Sequence, residues 1–206
     1  MGRRVPLKVV TIACLSAACA LTLGCAPVLQ ERELPALADQ GKISRVAVAP
    51  FTVREGVGGS DVAAHQVAQA LSETGLQVVP PSDVATAMGA SKSPPQADDA
   101  AGMARLAARE FGAQAILLGR VDRYRGLDGS SLGASSPASV SFNVTLVSAP
   151  SGEPLWKATF DETQHPLSDN VFNAFRYPDG GSRWLTAPEL VRWGASAVAK
   201  DLPTGE

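Results

Sequence analysis

The sequence predicts an α/β (α+β) fold: one mixed sheet with helices packed on it, then a C-terminal β-hairpin and a final helix. Two observations support this prediction. In the first part of the chain, short apolar runs rich in β-branched residues alternate with segments of helical periodicity, as strands and crossover helices do. Further along, two strands with regular alternation of apolar and polar residues follow each other across a tight turn, which is typical of an antiparallel hairpin. We assign residues 43–206 to this single domain.

The alternating part begins with a strand at 45–51, RVAVAPF, which ends at a proline. A helix follows from Ser60 or Asp61 to Gly75, with its apolar residues at helical spacing. The run AILLGRV at 115–121 is continuously apolar, as expected for a strand buried on both faces at the centre of the sheet. The remaining predicted elements of this part are a strand at 76–79 and helices at 82–88 and 98–111.

The second part is predicted as a hairpin and a helix. Residues 139–147 place Val140, Phe142, Val144 and Leu146 on one face, and Pro150-Ser151-Gly152 then turns the chain into a partner strand at 155–160. Before the hairpin, the Gly/Ser-rich stretch 126–137 is predicted as a flexible polar loop. After it, segment 163–185 is irregular and aromatic. The last helix starts with a capping box, Thr186 and Glu189.

The N-terminus is predicted to direct export and lipidation. Three basic residues precede an uncharged run, TIACLSAACALTLGC, that ends in Gly24-Cys25, so residues 1–24 are predicted as a lipoprotein signal peptide and Cys25 as the acylated mature N-terminus. Two alternatives stay open, a cut before Cys19 and an uncleaved anchor, although the run at 9–23 is shorter than the roughly 20 residues that span a bilayer. Residues 25–42 are predicted as a tether that reaches at most ~60 Å.

Composition argues against a nucleic-acid partner, an internal disulfide and a metal site. Removing residues 1–24 takes 3 of the 18 basic residues and none of the 20 acidic ones, which leaves 15 against 20 and a net charge of −5. A mildly acidic domain has no electrostatic footprint for nucleic acid. The other two cysteines, Cys14 and Cys19, leave with the signal, so no internal disulfide is expected. We expect no cofactor, and no spacing of His, Cys or carboxylates is typical of a metal site.

Two motifs match catalytic or binding patterns without their context. Residues 129–133, GSSLG, fit the G-x-S-x-G nucleophile elbow, with Ser131 as nucleophile and Asp161 and His165 in hydrolase order. That elbow needs a strand directly before the serine and a helix directly after it, whereas Ser131 lies in the predicted loop. A second motif, Gly56, Gly58 and Gly59 between a strand and a helix, lacks both the dinucleotide spacing and a Gly-Lys-Ser/Thr. We therefore expect no enzymatic activity and keep a hydrolase using Ser131 as an alternative.

Residues 43–162 resemble a group of periplasmic lipoprotein domains. The resemblance rests on RVAVAPF, on the helix that ends in a glycine, on residues 109–121, REFGAQAILLGRV, and on the hairpin that closes on residues 151–156, SGEPLW. The group contains domains related to the curli secretion channel, the N-terminal domain of TolB, and lipoprotein activators of penicillin-binding proteins. It implies an accessory or assembly role in a cell-envelope complex, exerted through protein contacts. A regulator of peptidoglycan synthesis is the alternative within it.

The partners and location follow from the anchor and the resemblance. The chain is expected at the outer membrane, facing the periplasm, because Ala26 rather than Asp follows Cys25. The membrane is then bound through lipid, an envelope protein is the expected partner, and a homo-oligomer stays open. The aromatic side chains of segment 163–185 are the predicted partner contacts, unless they fold back over the sheet: Phe172, Phe175, Tyr177 and Trp184. Alternative docking surfaces are any exposed sheet edge and the polar face of strand 139–147, which carries Ser141, Asn143 and Thr145 and is expected to be wet or only lightly covered.

Overall fold

The structure, a computed structural model, describes residues 28–165, 177–178 and 182–204. The strands of these residues are β1 (Leu29–Glu33), β2 (Arg45–Val48), β3 (Thr52–Val53), β4 (Gln77–Val79), β5 (Ala115–Arg125), β6 (Asp128–Ser130), β7 (Gly133–Ser136), β8 (Ser139–Ser148) and β9 (Pro154–Thr163). The helices are α1 (Ser60–Glu73), α2 (Pro81–Ala90), α3 (Ala100–Phe111) and α4 (Ala187–Asp201). The predicted mixed α+β fold is confirmed.

Seven of the strands form one mixed sheet in the order β1-β9-β8-β5-β2-β4, and β3 continues the line of β2 along β5. Strands β2, β3 and β4 run parallel to their neighbours, whereas β8, β9 and β1 pair antiparallel. The sheet therefore has a parallel half built by helical crossovers and an antiparallel half built by the predicted hairpin.

Helices cover the two faces of the sheet unequally. On one face α1 and α4 pack against residues from both halves, including the buried rings of Phe142 and Phe160. On the other face α2 and α3 pack on a smaller cluster around Ala47, Ile116 and Val147. Because that cluster draws only on the parallel half and the end of β8, the antiparallel half of this second face has no helix on it among the described residues.

The α4 helix lies close to the sheet because a glycine faces the aromatic core. A Cβ added at Gly194 would lie 2.7 Å from Cγ of Phe160 and 2.9 Å from Cε1 of Phe142, far inside ordinary contact distance. The predicted capping box fixes the start of the helix, where Glu189 Oε2 accepts from the Thr186 amide at 2.8 Å and the Thr186 hydroxyl at 2.9 Å.

Three expectations differ from the structure. Residues 29–37, assigned to the tether, belong instead to the fold: Leu29–Glu33 is edge strand β1, and the Leu34 amide then donates to the Leu155 carbonyl at 2.9 Å. The charges of LQERE concealed this strand, yet charged side chains are common on edge strands, where only one backbone side is paired.

Stretch 126–137 is not a plain loop but contains the two-stranded hairpin of β6 and β7. The central strand, β5, runs to Arg125 rather than Val121. Its second half is polar because these side chains lie on the face that no described helix covers.

Candidate functional site

A groove of about 610 Å³ lies on the open antiparallel half of the sheet. Its floor is formed by the polar alternates of β8, Ser141, Asn143 and Thr145, which the sequence placed opposite the apolar core face. We call the surface around this groove the charged face, and its charged residues are Arg54, Arg120, Asp122, Arg123, Lys157 and Asp161. Its position follows from the pleat: the residues that alternate with Phe142 and Phe160 must point away from α4.

An acidic residue at the centre of the charged face organises one side of the groove. The Asp122 carboxylate accepts from Arg120 Nε at 2.9 Å and from Asn143 Nδ2 at 2.6 Å, and Arg54 Nη2 lies 3.6 Å away. The Asp122 side chain is 17% exposed, whereas those of Arg54 and Arg120 are 67% and 55% exposed. The carboxylate is thus enclosed, and its two arginine partners present their remaining N–H donors to solvent.

A β-bulge in β5 places two adjacent residues on the same face. Register with β8 shifts between Val121, which pairs with Phe142, and Arg123, which pairs with Ser141. A regular strand would send Asp122 and Arg123 to opposite faces, whereas the bulge turns both toward the groove. Arg123 forms an ion pair with Asp161 of β9 and donates from Nε to the Ser139 hydroxyl at 2.5 Å.

The charged face is positive on an otherwise acidic chain. We include Arg32 of β1 in the charged face, because it pairs in register with Lys157 of β9 and both side chains are exposed. These five cations, Arg32, Arg54, Arg120, Arg123 and Lys157, face two carboxylates, Asp122 and Asp161. The face therefore carries a net charge of +3, against −5 for residues 25–206. Arginine donors in this number favour carboxylates or other oxyanions as ligands.

The predicted contact residues are only partly within the described part of the chain. Cys25, Phe172 and Phe175 lie outside it. Tyr177 is 5% exposed, its hydroxyl donates to Glu162 Oε1 at 2.8 Å, and its ring lies 5.4 Å from that of Trp193 on α4. Tyr177 is therefore buried against the core in this structure. Trp184 is half-buried, and its amide donates to the Ser131 carbonyl at 2.9 Å.

The hydrolase motif does not assemble a triad. Ser131 lies in the exposed turn between β6 and β7, not between a strand and a helix. Asp161 pairs with Arg123, and the described residues show no hydrogen bond between the Ser131 hydroxyl and either Asp161 or His165. A general base must reach the proton it removes, so this arrangement does not activate the serine.

Among the glycines before α1, Gly59 has a packing role. Gly59 is the N-cap of α1, with φ of 85°, in the left-handed region that glycine adopts most easily. An added Cβ there would lie 2.4 Å from the Tyr124 ring, so the close approach of this ring also requires glycine. Burial against this turn raises the pKa of Tyr124 above its usual value.

Two further kinds of feature are absent from the described residues. They contain no cluster of three His, Cys, Asp or Glu side chains that could hold a metal ion. No helix among them combines the length and hydropathy needed to cross a membrane.

The sequence indicated this surface but not its charged residues. The polar alternation of residues 141, 143 and 145 predicted a wet or only lightly covered face that could dock a partner, and no helix among the described residues covers it. Arg123 could not be added to this face from the sequence, because regular alternation would separate it from Arg120 and Asp122 and only the bulge brings it beside them.

Comparisons with known proteins give a likeness of fold. No protein-family model matches this chain, and no curated protein matches it either. Solved structures similar to it include the PelC dodecamer from Paraburkholderia phytofirmans, at 17% identity and a TM-score of 0.47, covering 86% of this chain and 97% of that one. Lipoprotein GNA1162 from Neisseria meningitidis is 22% identical with a TM-score of 0.48, covering 65% and 96%. The LpoB C-terminal domain from Escherichia coli is 19% identical with a TM-score of 0.42, covering 63% and 94%. At identities of 17–22% and TM-scores of 0.42–0.48, the likeness is one of fold alone.

Proposed function

We propose that this chain is a bacterial envelope lipoprotein, anchored through lipid at Cys25, that acts without catalysis by binding a protein partner on its charged face. The open antiparallel half of the sheet is the observation that supports this. Arg120 and Arg123 are held by the carboxylates of Asp122 and Asp161, so these two side chains lose less conformational entropy when a partner binds. Arginine is also enriched among the few residues that carry most of the binding energy at protein interfaces.

The arrangement favours binding over chemistry. Its carboxylates, Asp122 and Asp161, are engaged by arginines, and the described groove contains no histidine or cysteine to act as base or nucleophile. A partner that presents carboxylates can instead bind the solvent-facing N–H groups of Arg54 and Arg120. Such a contact weakens as salt rises, because the arginines are more than half exposed.

The test is crosslinked affinity capture from envelopes of cells that express the chain with its native N-terminus. The test variant is Arg120→Glu/Lys157→Glu, which reverses two exposed charges on the charged face. The matched control is Lys92→Glu/Arg192→Glu, which makes the same change of net charge at exposed residues outside it. Circular dichroism checks that both fold. We expect a defined partner to be lost with the test variant and retained with the control.

Equal capture by wild type and both variants would contradict a role for the charged face. The same preparations test the anchor. We expect a clickable palmitate analogue to label wild type and not Cys25→Ser, and the labelled chain to sediment with the outer membrane. Identification of the captured partner separates an assembly subunit from a regulator of peptidoglycan synthesis, because only the latter binds a cell-wall synthase.

A further inference from the structure

We propose that the end of the sheet that carries the β6–β7 hairpin lies against the lipid bilayer, with Leu132 in the headgroup layer. This inference rests on the proposed acylation of Cys25. The surface that this end of the sheet contacts is the membrane that holds the anchor, because very little chain separates that anchor from the fold.

The register of β1 sets the length and direction of this connection. Leu29 pairs with Phe160 and Glu33 with Trp156, so the chain before Leu29 heads toward the end of β9 at Thr163. Val28 already packs against the core. Four residue steps join Cys25 to Leu29, a reach of at most ~14 Å. The sequence-predicted tether of residues 25–42 is shortened to these few residues.

That reach barely passes the end of the sheet. From Phe160 to Thr163 the strand advances three residues, or ~10 Å, in the same direction. At full extension, Cys25 therefore lies only ~4 Å beyond the end of β9, and any bent path brings it closer. The headgroup layer on each side of a bilayer is about 5–8 Å deep. An acylated Cys25 thus brings this end of the sheet into contact with headgroups.

The hairpin and the start of α4 lie at the same end. Ser139, where β8 begins, pairs with Thr163, and the β6–β7 hairpin lies between Arg125 and Ser139. Hydrogen bonds hold the hairpin turn there, because the Ser131 carbonyl accepts from the Trp184 amide at 2.9 Å and the Leu185 amide donates to Gln164 Oε1 at 2.6 Å. The turn is therefore fixed against the sheet end.

The chemistry of the turn suits a membrane interface. Leu132 is 91% exposed at its tip, whereas Val53 is the next large apolar side chain exposed among the described residues, at 42%. Water contact of so exposed an apolar side chain is unfavourable, and insertion among lipids removes it. Half-buried Trp184 lies directly beside the turn, and tryptophan is enriched at membrane interfaces. In this orientation the strands stand on the membrane, and the charged face points sideways into the periplasm.

The test uses the full lipidated chain in vesicles of phosphatidylethanolamine and phosphatidylglycerol. Leu132→Cys and Ser151→Cys each introduce one labelling site, because Cys25 is blocked by acylation and the other cysteines leave with the signal. Ser151 is the matched control, since it is exposed in the turn between β8 and β9 at the opposite end of the sheet. A polarity-sensitive fluorophore is attached, and a quencher is carried on the lipid headgroups. Ser131→Cys gives a second position in the same turn.

We expect emission at residues 131 and 132 to shift to the blue and to fall several-fold with the lipid quencher, while emission at residue 151 stays unchanged. Equal quenching at 132 and 151, or none at either, in a chain whose N-terminal acylation is confirmed by mass spectrometry, would overturn the inference and leave the proposed function intact. A blue shift at 132 without lipid quenching would overturn it in favour of a protein contact. An unacylated Cys25 would remove the proposed anchor and this inference together.

Discussion

The close packing of α4 on the sheet gives a prediction that can be calculated from distances. Gly194→Ala adds a Cβ 2.7 Å from Phe160 and 2.9 Å from Phe142, where ordinary contacts lie near 3.4–4 Å. Helix α4 or the two rings must therefore move by ~0.7 Å, and overpacking of this kind costs ~1–3 kcal/mol. The same substitution gains up to ~1 kcal/mol of helix propensity. We expect a net loss of about 1 kcal/mol in the free energy of unfolding.

A second glycine isolates the packing cost. Gly89 also lies in a helix, α2, and an added Cβ there meets nothing within 4 Å. Gly89→Ala should therefore stabilise the chain by up to ~1 kcal/mol through propensity alone. The two variants should differ by ~1–3 kcal/mol, because the propensity gain is common to both and only Gly194 faces the rings.

Urea denaturation followed by circular dichroism measures both variants against wild type. In a chain of this size the difference corresponds to a separation of ~2–12 °C in Tm. Equal stabilisation by Gly194→Ala and Gly89→Ala would refute the reasoning, because it would mean that α4 does not lie on Phe142 and Phe160 as closely as the structure shows.

Two further predictions concern the start of α4 and the segment before it. The pKa of Glu189 is lowered to about 2, first by the hydrogen bond from Arg183 and then by the Thr186 amide, so its stabilisation is complete above pH 4.5 and is lost as the pH falls toward 2. Glu189→Gln should cost ~1 kcal/mol at pH 7 and only a small part of that at pH 2, where the carboxyl of the folded chain is about half protonated. Urea denaturation at both pH values measures this, and a cost independent of pH would contradict the assignment. Gln164, 3% exposed, accepts from the Leu185 amide at 2.6 Å and donates to the Arg183 carbonyl at 2.8 Å. Gln164→Leu should cost ~2 kcal/mol and speed hydrogen exchange of the Leu185 amide, and unchanged exchange would show that this hydrogen bond does not hold the segment.

The proposed partner contact and membrane contact lie on different parts of the fold. The charged face is on the open half of the sheet, around Arg120 and Lys157, whereas Leu132 is at the end of the sheet. Variants of one should therefore leave the other unchanged. Arg120→Glu/Lys157→Glu is expected to lose its partner and to keep membrane contact.

Most of the secondary structure and the identity of the core could be predicted from local sequence patterns. Hydrophobic periodicity is a local property, so α1, α3, β5, β8 and β9 could be recognised from runs of residues along the chain. The capping box of α4 is equally local, since Thr186 and Glu189 are three residues apart. Alternation along β8 even indicated which face would remain open.

The position of the site and the true start of the domain depend on long-range contacts. A bulge between Val121 and Arg123 reverses the direction of side chains without any mark in composition, so Arg123 could not be placed from sequence. Strand β1 is charged and short, and it becomes a strand only because β9 offers an edge more than 100 residues away in the chain. That long-range pairing has no local signal, and it converts a predicted tether into part of the sheet.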